Sequence, residues 1–200
     1  MRKIIVATCN QDKIKEIRGI LAGDGIEYVS LEDEGLKDID IKEDGSTFEE
    51  NAVIKAKTVS EATGLMVLAD DSGLEVDYLG GAPGIYSARY MGEDTPYTIK
   101  NNHIIEELKD AEGDERSARF VCAMACVFPD GRVITTEGKV EGRIAYEEKG
   151  ENGFGYDPIF YLPEKGCTTA QLKPEEKNAI SHRGRALRAM HKRLVEEGVI

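Results

Sequence analysis

The chain has 200 residues and a formal net charge of −12, and hydrophobic residues make up 40% of it. This composition is typical of a folded, water-soluble domain, and no apolar run approaches the ~20 residues of a membrane-spanning helix. The acidic balance argues against general binding to DNA, RNA or anionic membranes. The N-terminal segment has a basic start and a short apolar run, which indicates a first strand rather than a signal peptide. We therefore expect a cytoplasmic protein.

Positive charge is concentrated near the C-terminus. Between Lys173 and Arg193 there are seven Lys or Arg residues and two Glu residues. Such a segment in an acidic protein suggests a discrete anion site, although a helix with a solvated basic face explains positions 185, 188, 192 and 193. The four cysteines include no C-x-x-C pair and no zinc-like spacing with histidine, so we expect reduced thiols.

The first part of the chain alternates between strand and helix patterns. Residues 3–7 predict a strand, residues 12–22 a helix with one apolar face, and residues 28–31 a second short strand. Thr47, with Glu50 three residues later, has the form of a capping box and predicts a helix that Gly64 ends. An apolar run at 65–69 then predicts a buried strand.

The rest of the chain combines helices with a hairpin. Residues 74–79 alternate as a half-exposed strand, and Thr95 is the expected cap of a helix through Leu108. Extended runs at 117–128 and 132–142 flank Pro129-Asp130-Gly131 and predict a hairpin. A final helix is expected over 181–197, with core-facing Ala186, Leu187, Met190 and Leu194. The pattern predicts a mixed α/β protein with a partly antiparallel sheet and flanking helices.

Two adjacent acids follow the apolar run at 65–69. Asp70 and Asp71 precede Ser72 and Gly73, so we expect a turn that presents both carboxylates at a strand tip. Neighbouring carboxylates repel one another unless a proton or cation lies between them, which makes Mg²⁺ a natural partner. A solvated turn explains these residues alone, but the glycine-rich loop at 80–84 and the segment 87–90 favour a functional site.

Three further segments carry groups suited to a nucleotide. Thr8, Asn10 and Lys13 stand where a helix begins, which places donors and positive charge around an anion, although an ordinary capped helix fits as well. The missing glycines exclude a Walker loop. In the second segment, Gly155 would let the backbone approach a flat ligand closely, and Phe154 and Tyr156 would offer stacking faces. Asp157 could accept hydrogen bonds there. The third supplies cations and donors before and within the last helix at Lys177, His182 and Arg183.

Together these segments resemble the inosine triphosphate pyrophosphatase family, which hydrolyses non-standard purine nucleoside triphosphates. They span the chain from Thr8 to Arg183. The resemblance implies a single, elongated α/β domain over residues 1–200, with two lobes around a central cleft. Members of the family are usually homodimers, so we expect a homodimer here. It also implies a Mg²⁺-dependent nucleoside triphosphate pyrophosphatase without nucleic-acid or membrane partners.

The resemblance further implies individual roles. Metal ligands would be Glu43, Asp70 and Asp71, although family spacing varies before Gly45, so that Asp44 or Asp40 could replace Glu43. Glu50 fits either a supporting role there or helix capping alone. The substrate contacts implied are Thr8, Asn10 and Lys13 for the triphosphate, Phe154, Gly155, Tyr156 and Asp157 for the nucleoside, and Lys177, His182 and Arg183 for phosphate and the 6-oxo group. Ser72 is also an expected substrate contact, with no part of the substrate assigned to it.

The expected reaction is attack of water on the α-phosphorus of ITP, dITP or XTP with loss of pyrophosphate, and Asp71 is the expected general base. Donors facing the 6-oxo group would reject adenine, which carries a 6-amino group there. Two alternatives remain: a pyrophosphatase for pyrimidine or modified-base nucleotides, and a non-enzymatic nucleotide-binding regulator. The sequence does not rank ITP, dITP and XTP.

Overall fold

The computed structural model describes residues 2–21, Gly23 and residues 25–200, and it is a mixed α/β fold. Within these described residues, seven strands form one sheet in the order β2-β1-β3-β4-β5-β6-β7. The strands are β1 Arg2–Val6, β2 Ile26–Ser30, β3 Val67–Val76, β4 Ser117–Val127, β5 Val133–Ile144, β6 Phe160–Leu162 and β7 Cys167–Thr168. The α-helices are α1 Gln11–Ile20, α2 Phe48–Thr63, α3 Tyr97–Glu107, α4 Pro174–Ile180 and α5 His182–Glu196.

The sheet confirms the expected mixture of strand directions. Strand β1 runs parallel to both β2 and β3, while β6 runs antiparallel to β5 and β7. The predicted hairpin joins β4 to β5, and its turn is closed by the Phe128 N–H, which donates to the Arg132 carbonyl. Within the described residues, no helix is both long and apolar enough to cross a membrane.

The chain divides into two compact units. Unit 1 comprises the residues up to Asp71 together with Cys122–Gly138 and His182–Ile200, and unit 2 comprises Ser72–Val121 and Lys139–Ser181. Strands β3, β4 and β5 each carry the chain from one unit into the other. Each unit has its own hydrophobic core.

The core of unit 1 lies between helices α1 and α5 and the strands beside them. Ile14 and Ile17 of α1 are buried there, as the helical spacing predicted. Cys122 and Cys126 lie in this core as free thiols on one face of β4, and burial raises the pKa of each to about 12. The predicted inward residues of α5 are all buried: Ala186, Leu187, Met190 and Leu194.

Local backbone features set the ends of α2 and the close packing of β5 against the start of α5. Thr47 caps α2 by accepting the Glu50 N–H at 3.1 Å, and Gly64 ends the helix with a left-handed φ of 70°. A side chain at Gly138 would collide with the His182 carbonyl, so the glycine lets β5 pass directly against the start of α5.

The predicted turn after Asp71 is wrong. Strand β3 continues without interruption to Val76, and the chain then forms a short 3₁₀ turn at Asp77–Leu79 instead of the second strand expected at 74–79. Ser72 and Gly73 stay extended because the backbone after them is held: the Leu74 N–H donates to Ser87 Oγ at 2.9 Å. Turn-forming residue types were overridden by this tertiary contact.

Two helix boundaries also differ from the prediction. Helix α3 starts at Tyr97 after Pro96, and Thr95 does not cap it, because its hydroxyl donates to the Met91 carbonyl. A separate short helix, α4, precedes α5 and was not expected. Its start follows from Pro174, which is preorganised for a first helical turn.

Candidate active site

Asp70 and Asp71 lie in β3 just beyond the point where its neighbour β1 ends. The parallel pairing of β1 with β3 reaches Val6 and Leu68, and the Ala7 N–H then donates to the Leu68 carbonyl. The two carboxylates therefore follow the carboxyl end of this parallel pair, where α/β sheets commonly bind ligands. Successive side chains of a strand point to opposite faces, so the acids do not face one another.

Asp70 is enclosed by cations from two helices. Its Oδ2 atom lies 2.9 Å from Lys13 Nζ of α1 and 3.2 Å from Arg183 Nη2 of α5. Glu16 accepts from the Arg183 Nη1 at 2.5 Å and so fixes the far side of that guanidinium. The Asp70 side chain is 0% exposed, which makes it a buried, charge-paired group.

Asp71 meets a different set of groups, both from α2. Its Oδ1 accepts from Lys55 Nζ at 3.1 Å, and its Oδ2 accepts from Asn51 Nδ2 at 3.2 Å. The same Lys55 ammonium lies 3.1 Å from Glu43 Oε2, so it stands between two carboxylates. The Asp71 side chain keeps 10% exposure and that of Glu43 keeps 33%, so both reach solvent while Asp70 does not.

These surroundings shift the pKa values of Asp70 and Asp71 in opposite directions. Burial alone would raise the pKa of Asp70, but the charges of Lys13, Arg183 and Lys55 outweigh it and hold that pKa far below its usual range. For Asp71, burial dominates and raises the pKa despite the opposing charges of Lys55 and Lys13. Adjacent carboxyls with separated pKa values are the usual sign of divided roles in acid–base chemistry.

The loop before α1 caps that helix, and the helix's first turn also brings a cation to the acidic pair. Asn10 caps the helix, because its Oδ1 accepts the N–H groups of Asp12 and Lys13 at 3.0 and 3.2 Å. Thr8 supports the loop through its Oγ1, which accepts the Asn10 N–H at 3.1 Å. Lys13 then extends from the first turn of α1 to Asp70, so the loop delivers one cation to the acidic pair.

Of the acids near Gly45, the structure brings Glu43 to the pair through Lys55. Asp40 and Asp44 are exposed. Glu50 has a complete local explanation, since its Oε2 accepts both the N–H and the hydroxyl of Ser46 at 2.7 Å. Those hydrogen bonds lower the pKa of Glu50.

The start of α5 is more deeply buried than the sequence suggested. His182 is 6% exposed and Arg183 is 2% exposed. Burial would lower the pKa of Arg183, but Asp70 and Glu16 raise it, so the guanidinium stays charged. The structure thus gives Arg183 a direct contact with Asp70 that the sequence did not predict.

The expected nucleoside residues lie in unit 2 and fall into two groups. Asp157 is 2% exposed, and its carboxylate accepts from the Phe154 N–H at 2.8 Å, Thr169 Oγ1 at 2.8 Å and Lys177 Nζ at 2.6 Å. Tyr156 is 4% exposed, belongs to the core and donates its hydroxyl to the Ser87 carbonyl. Asp157 and Tyr156 are therefore committed to holding this segment in shape.

Phe154 and Gly155 are the more accessible part of that segment. Both are half-buried, and the Lys177 ammonium lies 4.8 Å from the centre of the Phe154 ring. Gly153 needs to be glycine, because its φ is 75° and a Cβ there would collide with the Asp157 carboxylate. Ser72, also half-buried, continues β3 directly after Asp71.

Three residues of the cluster were missed from the sequence: Glu16, Asn51 and Lys55. Lys55 and Asn51 lie four residues apart on one face of α2, a spacing that presents both to the same neighbour. In the sequence, Asn51 and Lys55 stand directly before Ala52 and Ala56, which the helical pattern places on the inner face of α2. Polar groups at such positions need partners, so this spacing was a usable signal. Glu16 had no comparable signal, since its partner Arg183 is 167 residues away.

The donor set suits a hard divalent cation in its chemistry. Within the described residues, no group of three or more His, Cys, Asp or Glu side chains stands ready as a metal centre. The oxygens of Glu43 and Asp71 nevertheless converge on one positive group, the Lys55 ammonium, and both side chains retain solvent access. Carboxylate oxygens are the ligands that Mg²⁺ prefers, so Glu43 and Asp71 would hold it, with Asp70 behind them.

The fold and the cluster define a mixed α/β protein with a paired-carboxylate site surrounded by lysines, an arrangement suited to phosphate chemistry. The model of the Ham1 family matches residues 4–193. The chain therefore belongs to the Ham1 family, and the resemblance derived from its motifs is confirmed.

Curated relatives match along almost the whole chain. The dITP/XTP pyrophosphatase of Bacillus licheniformis is 50% identical over 190 residues, covering 95% of this chain and 96% of the relative. The dITP/XTP pyrophosphatase of Vibrio cholerae is 45% identical and covers 98% of both chains. Among solved structures, a HAM1 protein from Coxiella burnetii has a TM-score of 0.88 at 42% identity, covering 98% of this chain and all of that one.

Proposed function

We propose that this chain hydrolyses the non-standard purine nucleoside triphosphates ITP, dITP and XTP to the monophosphate and pyrophosphate. The observation that carries the proposal is the adjacent pair Asp70 and Asp71 within one cluster of cations: Lys13 and Arg183 contact Asp70, and Lys55 contacts Asp71. The opposite pKa shifts of the two acids agree with that geometry. The names of the curated relatives support the same reaction. Such an enzyme would remove these nucleotides from the pool before they enter nucleic acid.

Asp71 is the residue proposed to act on water. Its carboxylate has solvent access, and its raised pKa makes it a better proton acceptor than an ordinary aspartate. The water oxygen forms a bond to the α-phosphorus, its proton passes to Asp71, and the bond from that phosphorus to the pyrophosphate oxygen breaks. Asp70, with its lowered pKa, stays ionised and keeps Lys13 and Arg183 in place.

Lys13 and Lys55 are the groups proposed to offset the charge that develops on the phosphates. A triphosphate brings about four negative charges into a protein whose own net charge is −12, so local cations must dominate the site. The Lys13 side chain is 16% exposed and that of Lys55 is 9% exposed, so both are held by carboxylates yet border solvent.

Mg²⁺ is the proposed cofactor, which Glu43 and Asp71 would hold; Asp70, expected from the sequence as a third ligand, is buried and paired with Lys13 and Arg183, so its proposed part is to support the site from behind. When bound, it would polarise the phosphate and neutralise part of its charge. The protein itself has to hold the Glu43 and Asp71 carboxylates close together. In this structure Lys55 does so, because its ammonium contacts both of them.

Base selection is proposed for hydrogen-bond donors, among them His182. Separately, Phe154 and Gly155 are proposed to offer a stacking face and a close backbone approach to a base. Hypoxanthine and xanthine present a 6-oxo acceptor, whereas adenine presents a donor that would leave a protein donor unpaired. Guanine also carries a 6-oxo group, so its expected exclusion has to depend on its 2-amino group. The homodimer and the cytoplasmic location remain predictions.

Product analysis with purified protein, dITP and Mg²⁺, run beside dATP, dGTP and a pyrimidine triphosphate, tests the proposal. Pyrophosphate and dIMP, with little turnover of the others, are expected. Orthophosphate as product would place the attack on the γ-phosphorus, and equal turnover of dATP would contradict the selectivity. No turnover of any nucleotide would favour a nucleotide-binding regulator, and preference for the pyrimidine would favour the related pyrophosphatase.

A further inference from the structure

Asn51 is a buried side chain that joins two parts of the candidate site. It lies in the first turn of α2 and is 0% exposed. Its Oδ1 accepts the Gly45 N–H at 2.9 Å, and its Nδ2 donates to Asp71 Oδ2 at 3.2 Å. One amide therefore links the loop before α2 to the acidic strand.

The orientation of this amide is determined by its partners. A backbone N–H can only donate, so the atom facing Gly45 must be the oxygen, which directs the amide nitrogen of Asn51 to Asp71. The second oxygen of Asp71 accepts from Lys55 at 3.1 Å. With a donor on each oxygen, the plane of the Asp71 carboxylate is fixed.

Gly45 makes the link possible through close approach. A Cβ at this position would lie 2.7 Å from Asn51 Oδ1 and 2.8 Å from Glu50 Cβ, which no side chain tolerates. Glu43, two residues earlier, reaches Lys55 at 3.1 Å. Four hydrogen bonds thus connect Gly45, Asn51, Asp71, Lys55 and Glu43 in series, and the chain from Glu43 to Gly45 closes the circuit.

We infer that Asn51 is a positioning residue that sets the orientation of Asp71 and its separation from Glu43. The inference rests on the proposed function, in which these two acids bind Mg²⁺ and Asp71 accepts the proton. Asn51 itself touches neither nucleotide nor water in this scheme. Its loss is therefore expected to affect metal affinity and kcat, while the KM for the nucleotide changes little.

The experiment compares Asn51→Ala with wild type in two measurements. Mn²⁺ affinity is measured by electron paramagnetic resonance titration without nucleotide, and kcat and KM are measured with dITP at saturating Mg²⁺. Loss of a group that orients metal ligands typically costs about 10–100-fold in metal affinity or activity, and we expect a loss of this size in both. The KM for dITP should stay within about threefold, because only positioning is lost.

A matched control and a second variant make the result decisive. Ser60→Ala removes a buried hydrogen bond from the same helix, because Ser60 donates to the Leu65 carbonyl at 2.8 Å, and it should leave both measurements unchanged. Gly45→Ala should reproduce the Asn51→Ala result from the other end of the link, and it serves if Asn51→Ala does not fold. Wild-type metal affinity and kcat in the Asn51 or Gly45 variant would overturn the inference.

The two proposals fail in distinguishable ways. If the wild type turns over no nucleotide, the pyrophosphatase proposal is wrong, and the Mn²⁺ titration still decides whether Asn51 positions the acids. If the wild type hydrolyses dITP and Asn51→Ala matches it in both measurements, only the role of Asn51 is wrong. A loss in Ser60→Ala equal to that in Asn51→Ala would also overturn the inference, because it would show general helix destabilisation.

Discussion

Arg183 Nη2 lies 3.2 Å from Asp70 Oδ2, and the two side chains are 2% and 0% exposed although 113 residues separate them in the chain. A buried pair of this kind fixes the start of α5 against β3. It also explains why an ionised aspartate persists in the interior of unit 1. Removing Arg183 would break a buried ion pair and leave Lys13 as the remaining cation in contact with Asp70 among the described ion pairs.

Arg183→Ala is therefore expected to lower the free energy of unfolding by about 3 kcal/mol, the lower end of the cost of breaking a buried ion pair, because Lys13 still contacts Asp70; urea denaturation measures it. Arg183→Lys should lose less, because a charge remains near Asp70 and Glu16. Arg185→Ala is the control, since Arg185 is exposed on the same helix. A loss below about 1 kcal/mol in Arg183→Ala would contradict the importance of the pair.

Acid should destabilise the protein through Asp70. Its folded-state pKa lies below the unfolded value of about 3.9, so its contribution is present above that value and is lost as the pH falls. Asp71 acts in the opposite direction, because its raised pKa favours proton uptake by the folded state. Urea denaturation between about pH 6 and about pH 2, which covers the range below the unfolded pKa, should show a flatter decline for Asp70→Asn than for wild type. An unchanged slope would show that Asp70 does not dominate acid unfolding.

Local patterns predicted much of unit 1, for reasons that α1 and α5 illustrate. The spacing of Ile14 and Ile17, and of Leu187 and Met190, makes one helix face apolar whatever the rest of the chain does. The position of Asp70 and Asp71 beyond a buried run was equally readable. Their continuation in a strand was not, because it depends on Ser87, which lies 13 residues from Leu74.

The partners of the acids could not be predicted for the same reason. Lys13 was identified as a phosphate-binding cation, yet its contact with Asp70 follows from the packing of α1 beside β3. Asp157 was expected to present its carboxylate to a ligand, but three protein donors surround it. Motifs identify residues that carry chemistry, whereas burial and long-range contacts decide which of them face outward.

Lys55 should be essential for turnover. Its ammonium is the one group that contacts both Glu43 and Asp71 among the described ion pairs, so Lys55→Ala removes a cation and frees two acids to repel. We expect kcat with dITP to fall by about 10²–10³-fold, the usual cost of losing one preorganised donor. Lys57→Ala, an exposed lysine on the same helix, should retain full activity. A fall in kcat below about tenfold in Lys55→Ala would contradict this role.

Asp71→Asn should abolish turnover while leaving nucleotide binding. The amide has nearly the same shape as the carboxylate but cannot accept the proton of water, so chemistry is lost and the phosphate-binding lysines remain. Binding of dITP, followed by isothermal titration calorimetry, should stay within about tenfold of wild type, and kcat should fall by at least about 10³-fold. Asp44→Asn, which removes an exposed acid beside Glu43, is the control. Full activity of Asp71→Asn would remove Asp71 as the base.

Lys177 and Asp157 form a buried ion pair in unit 2, as Arg183 and Asp70 do in unit 1. Their contact of 2.6 Å joins side chains that are 6% and 2% exposed, and Asp157 also holds the Phe154 backbone at 2.8 Å. Lys177→Met is expected to lower the free energy of unfolding by about 3–5 kcal/mol, because it leaves the Asp157 carboxylate buried without its cation. The double variant Lys177→Met with Asp157→Asn should recover part of that loss, since it removes the stranded charge. Losses that simply add in the double variant would mean that the two side chains do not stabilise each other.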